Sequence, residues 1–197
     1  MRYDADRKAQ TRSRVLAEAA RAIREVGPDG IRVAEVMSAV GLTHGGFYAH
    51  FPSKDAMVAA ALDRMFDDMR SRFARSTDGH GPAEGLVRYI DFYLSPRHRD
   101  ARGTGCPLPA LSADLPRLGP EARARYGAGV ATLTERLTDP IARLGRAPAP
   151  ALAASVVAEL VGALALARAV ADPAQSDAIL AASRTAVKLR LGLETPA

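Results

Sequence analysis

Apolar residues in this chain recur every three or four positions, and no stretch alternates polar with apolar for long. That period is the strongest constraint on the fold: spacing near 3.6 draws a stripe down one face of an α-helix, whereas a strand needs a period of 2. Val15, Ala19, Ala22, Ile23 and Val26 form a first stripe, which Gly27, Pro28 and Gly30 stop. Val33, Val36, Met37 and Val40 mark a short second helix closed by Gly41. A long helix follows Pro52, with Ser53 as its N-cap, Asp55 in its first turn, and Val58, Leu62, Met65, Met69 and Phe73 inward. Pro82 opens a helix carrying Leu86, Ile90, Tyr93 and Leu94, and residues 95–105 have the composition of a loop. A short helix is expected near 107–115. From about Pro120 the residues Val130, Leu133, Leu137, Ile141 and Leu144 stay in register, with Pro140 expected to kink or end the helix. Two last helices, 151–171 and 174–192, are separated by Asp172-Pro173. The expected fold is all-α, with about nine helices and no internal repeat.

Composition narrows the function classes. With 197 residues, 48% of them hydrophobic, the chain suits one domain or a small domain fused to a larger one. Its formal net charge of +5 is compatible with nucleic acid or an anionic surface, though many basic proteins bind neither. A single cysteine, Cys106, rules out an intrachain disulfide and a Cys-based metal site. The charged start MRYDADRKAQTRSR has no apolar signal core. The apolar tract 152–170 contains Glu159 and Arg168 and is mostly Ala, which suits a buried helix better than a membrane span. A cytoplasmic protein with no membrane partner is expected. There is no Gly-rich phosphate loop, no HExxH and no GxSxG, and His44, His50, His80 and His98 lack metal-ligand spacing. No catalytic residue, cofactor or metal is therefore expected.

The stretch GLTHGGFYAHFPSKDAM, residues 41–57, breaks the helical pattern around it. Two short helices with a glycine turn between them have helix–turn–helix spacing, and Thr43 is placed to cap the second. Phe47 and Phe51, four apart, would face the first helix. The outward set is then Thr43, His44, Gly45, Gly46, Tyr48 and His50. Thr and His can bond base edges or phosphates. Each glycine costs a helix about 1 kcal/mol relative to Ala, and close approach of the backbone to DNA is one reason to keep two; a plain loop is the other reading. Tyr48 suits either a phosphate ligand or a core tyrosine, and its position beside inward Phe47 favours exposure. Lys54 begins the next helix, where amides and dipole also favour an anion. The basic arm of Arg2, Arg7, Lys8, Arg12 and Arg14 either tracks phosphates or forms a solvated helix face.

Residues 30–57, GIRVAEVMSAVGLTHGGFYAHFPSKDAM, resemble the DNA-binding signature of TetR/AcrR-family transcriptional regulators through Gly-Leu-Thr, Gly-Gly-Phe-Tyr, His-Phe and Ser-Lys. The helices this covers make up about a third of the chain, and GCPLPALSAD, residues 105–114, is similar to a segment of one branch of the family. Two departures stand out. Arg32 sits where many members carry a capping Thr or a Gly; it can meet a phosphate but not cap. Met37 takes the place of a small Ala. The resemblance implies a helix–turn–helix DNA-binding domain over 1–52 and a helical ligand-binding and dimerisation domain over 53–197. It also implies a homodimer through the last two helices, a palindromic double-stranded DNA operator, and a small-molecule effector that releases it, with repression as the usual mode. The helix from Leu152 to Val170 is apolar nearly all round, and Ile179, Ala182, Ala186 and Leu189 give its successor an apolar face, which suits a dimer or a monomer core.

For the effector, candidate contacts are Met65, Met69, Tyr89, Phe92, Tyr93, Leu108, Leu111 and Tyr126, which at helical spacing also suit ordinary core. An apolar or aromatic ligand is preferred, because few charges point inward. Arg168 would pair with Glu159 or a neighbour, or meet a ligand carboxylate. Cys106, between an Arg-containing loop and a proline-started helix, suits either a redox or electrophile sensor or a small buried residue. Two rival classes, an enzyme and a helical scaffold that no longer reads DNA, lack supporting residues.

Overall fold

The computed structural model describes residues 2–193, with side chains from Asp6 onward, so the side chain of Arg2 lies outside the described residues. Among the described residues there are nine α-helices and no strand. The helices are α1 Arg2–Gly30, α2 Val33–Ala39, α3 Lys54–Thr77, α4 Pro82–Tyr93, α5 Pro96–Asp100, α6 Pro107–Leu111, α7 Pro120–Arg143, α8 Ala149–Ala169 and α9 Pro173–Leu191. Three short 3-10 segments, His44–Ala49, Arg102–Thr104 and Leu115–Arg117, complete the set.

The helix ends follow from local chemistry. Gly27 has φ 78 and ψ 166, a conformation closed to most side chains, so α1 is broken there before Pro28–Gly30 turns once more. At the end of α2, Leu42 N–H donates to the Met37 carbonyl and Gly41 N–H to the Ser38 carbonyl, both at 2.9 Å. Those two bonds are the Schellman closure, which needs the positive φ of 75 that Gly41 supplies. Ser53 caps α3 by accepting from Ala56 N–H at 3.1 Å, and Asp172 caps α9 by accepting from Ala174 N–H at 3.0 Å.

Two sequence expectations change and a third narrows. Residues 95–105 are not a plain loop: Ser95 accepts from His98 N–H and Pro96 fills the first helical position, so α5 forms. That start signal outweighs the Arg- and Gly-rich composition. The helix expected over 107–115 ends at Leu111. Pro140 lies inside α7, which runs on to Arg143, so of the two outcomes expected for it the helix does not end there.

The chain divides into two compact units, residues 1–68 with 102–126, and residues 69–101 with 127–197. In the first unit α1 packs against α2, α6 and Arg102–Thr104. Val15, Ala19, Ala20 and Ile23 of α1, Val36 and Met37 of α2, and Met57, Leu62 and Met65 of α3 are buried. Arg24 is buried beside them; its guanidinium meets Asp68 at 3.1 Å and the Met65 and Gly103 carbonyls at 3.4 Å. Burial pushes its pKa down while Asp68 opposes. In the second unit α4 and α8 pack on α9, and α5 packs on α8.

Candidate nucleic-acid interface

The candidate interface begins at Arg32, which precedes α2 in extended conformation and makes no capping bond; its side chain is exposed and pairs with Glu35 at 3.2 Å. Met37 is fully buried. A β-carbon placed on Gly46 would lie 3.8 Å from the Met37 Cε, an ordinary contact, so the long side chain fits beneath the turn without requiring a glycine above it.

The second helix of the motif is a 3-10 segment, His44–Ala49, rather than an α-helix. Gly46 N–H donates to the Thr43 carbonyl at 3.1 Å, and His50 N–H to the Phe47 carbonyl at 2.9 Å. Two glycines weaken the α-helical preference of so short a piece. Thr43 stands at its N-cap position, but its hydroxyl makes no capping bond, which corrects the expected cap.

Phe47 and Phe51 anchor the segment. Both are buried and stack with centroids 5.6 Å apart, and the Arg12 guanidinium sits 4.9 Å from the centroid of Phe51. Truncating either ring would cost about 3–5 kcal/mol. Arg14 donates to the Val40 carbonyl at 2.7 Å, tying α1 to the end of α2. Two arginines of the basic arm thus brace the motif, while Arg7 and Lys8 remain exposed. Sequence reasoning missed this bracing role; the signal was Arg14 lying one residue before the apolar stripe begins at Val15.

Thr43, His44, Gly45 and Tyr48 face solvent, with Tyr48 68% exposed; Gly46 and His50 are half-buried. Tyr48 meets Phe47 edge-on at 5.3 Å and His44 at 6.5 Å, so it stands on the buried anchor as an outward aromatic. The His50 Nδ1 is enclosed and has no hydrogen-bond partner among the described residues. Lys54 is half-buried at the start of α3, and its ammonium donates to the Asp29 carbonyl at 3.3 Å.

Neither glycine is demanded from within. Neither has a positive φ, and a β-carbon on Gly45 would meet nothing within 4 Å. The cost of two glycines is therefore not explained by the free protein's own packing.

The effector candidates fall in both units. In the first, Met65, Leu108, Leu111 and Cys106 are buried. Tyr126 donates its hydroxyl to the Leu108 carbonyl at 2.9 Å and meets Phe66 edge-on; burial, with Cys106 adding, pushes its pKa up to about 12. In the second, Met69, Tyr89 and Tyr93 are buried, and Tyr89 packs edge-on to Phe73 at 4.7 Å. Phe92 is half-buried, stacked on His98 at 4.9 Å with the Arg72 guanidinium 4.6 Å from its centroid. Arg168 donates to the His98 carbonyl at 3.0 Å and the Arg99 carbonyl at 3.1 Å, while Glu159 pairs with Arg190 at 2.5 Å. Arg168 thus closes the end of α5 instead of pairing with Glu159.

An all-helical chain with two elements joined by a Gly turn, a buried Phe pair beneath and an open polar face above has the architecture of a helix–turn–helix protein. Residues 15–61 match the family model described as bacterial regulatory proteins, tetR family. The chain is 31% identical over 71 residues to the HTH-type transcriptional regulator CymR of Pseudomonas putida, a match covering 36% of this chain and 35% of that protein. The matched part is thus about a third of the curated relative's length. A TetR transcriptional regulator from Chloroflexus aurantiacus is similar throughout: TM-score 0.82 and 25% identity, over 95% of this chain and 96% of that one. Reduced Escherichia coli NemR shares the fold, with TM-score 0.80 and 20% identity over 91% and 96% of the two chains. Residues 15–61 thus resemble the DNA-binding segment of tetR-family regulatory proteins, and the chain as a whole is similar in fold to a TetR transcriptional regulator.

Proposed function

We propose that this protein is a ligand-responsive, DNA-binding transcriptional repressor that binds a palindromic operator as a homodimer and is released by a small-molecule effector. The observation that carries the reading is the Thr43–Tyr48 face: exposed, polar, set on a buried Phe pair, and holding two glycines that no internal contact or backbone angle requires. An external surface that comes close to the backbone supplies the missing reason. Thr43, His44 and Tyr48 then meet base edges and phosphates, Gly45 and Gly46 admit the DNA backbone, and Arg32, His50 and Lys54 flank the contact. The DNA-binding domain is assigned to 1–52 and the ligand-binding and dimerisation domain to 53–197, in the cytoplasm.

Dimerisation is supported by apolar surface left without a partner. α8 is long and apolar enough to cross a membrane, yet only 39% of its apolar window is buried within the chain. On α9, Leu180, Val187 and Leu191 are buried, whereas Ala182, Ala186 and Leu189 lie exposed, Leu189 to 67%. Such a stripe on the last two helices fits a second copy better than solvent. The effector candidates remain Met65, Cys106, Leu111 and Tyr126 in the first unit and Met69, Tyr89, Phe92, Tyr93 and Arg168 in the second, with an apolar or aromatic ligand preferred. Sedimentation with and without duplex DNA across salt tests the reading. A dimer whose DNA affinity falls steeply with salt is expected; a monomer, or affinity independent of salt, would overturn it.

A further inference from the structure

We propose that the open pocket beside the start of α3 is a binding site for a small organic cation with an apolar body. The pocket lies wholly within the first unit and has a volume of about 330 Å³, enough for a small aromatic or alicyclic amine. None of the effector candidates above lines it. Three segments build it: Pro28–Asp29, just after the break at Gly27; the first turns of α3; and residues 118–122, which lead into α7.

Its chemistry divides cleanly. Pro28, Val58, Ala59 and Ala122 are buried and give an apolar floor, to which Leu118 and Pro120 add. The charged lining is Asp29, Asp55 and Glu121 against Lys54 alone, so carboxylates outnumber ammonium groups. Glu121 is held by Arg125 at 2.8 Å, and Lys54 donates to the backbone carbonyl of Asp29. The carboxylates of Asp29 and Asp55 make no hydrogen bond or ion pair among the described residues, so both are available to a ligand.

An anion is the alternative suggested by the N-termini of α3 and α7. Each helix already carries its own acidic residue in the first turn, Asp55 in α3 and Glu121 in α7, which complements the dipole and repels a further anion. A cation gains from the same carboxylates, and its apolar body removes the floor from water. A cation held here also sits beside Lys54 and repels it. Amine binding and DNA binding should therefore oppose each other, a consequence that rests on the DNA-binding reading; the test uses no DNA, so the two can fail separately.

The experiment is calorimetric titration of the full chain with 2-phenylethylamine, 2-phenylethanol and phenylacetate, which share one body and differ in charge. The amine is expected to bind one site per chain at least about tenfold more tightly than the alcohol or the acid. Replacing both free carboxylates, Asp29→Asn with Asp55→Asn, is expected to weaken the amine by about tenfold and leave the alcohol unchanged. Absence of saturable amine binding, equal binding of the three probes, or full amine affinity in the folded double variant would overturn the proposal. If the double variant does not fold, the three probes on the natural chain decide alone.

Discussion

Gly45→Ala separates folding from DNA recognition by the sign of its two effects. The residue lies in the exposed 3-10 segment, its φ is not positive, and a β-carbon there meets nothing within 4 Å. Alanine should fit without strain, and by restricting the unfolded chain it should stabilise the protein by about 0.4–1 kcal/mol. For a chain of this size that raises Tm by roughly 1–4 °C. If the DNA backbone comes close to Gly45, the added methyl displaces at least one charge-assisted contact. That loss costs about 1.5–3 kcal/mol, or roughly 10- to 100-fold in affinity. Thermal melting and anisotropy titration of one preparation read both quantities. A more stable protein with unchanged DNA affinity would refute the argument from close approach. A less stable one would refute the structural premise.

Tyr48→Phe and Lys54→Ala should each weaken binding to all duplexes alike, and Lys54→Ala should lower the salt slope by about 1, measured by titration at several salt concentrations. His44→Ala should change which sequence a random pool yields; a loss of affinity with the same preference would remove His44 as a base reader. His98 gives a pH dependence. Its Nδ1 donates to the Tyr93 carbonyl at 2.8 Å, and burial lowers its pKa from 6.5 to about 4. Between these values the unfolded chain holds a proton that the folded chain does not, so stability is full above the unfolded pKa and falls as pH drops toward the folded one. Urea unfolding of the natural chain and of His98→Leu should show a contribution on the order of 3 kcal/mol across that window only in the former.

Much of this was legible in the sequence because helices advertise their ends. Ser53, Gly41 and Asp172-Pro173 act through bonds of a few residues' span, so their roles can be read locally. The Phe47–Phe51 pair was legible for the same reason, since spacing of four puts both rings on one face. The form of the recognition segment was not: whether Thr43 caps, and whether the ladder is α or 3-10, turns on a balance of about 1 kcal/mol per residue. Arg24 was missed although it stands four residues after Ala20 on the buried face of α1; its partner Asp68 is far away in sequence. For Arg168 the sequence left Glu159, a neighbour or a ligand carboxylate open, and the carbonyls it meets belong to α5, which is remote in sequence. The amine pocket joins residues 28–29, 54–59 and 118–122, a convergence no local pattern announces.

The central claim, that the Thr43–Tyr48 face reads DNA as part of a two-fold dimer, is tested most directly by selection from a random duplex pool. The account predicts enrichment of a near-palindrome whose half-sites are about one helical turn apart, roughly 34–36 Å, or a multiple of it. Enrichment of no sequence, with binding that is weak and indifferent to the pool, would contradict it.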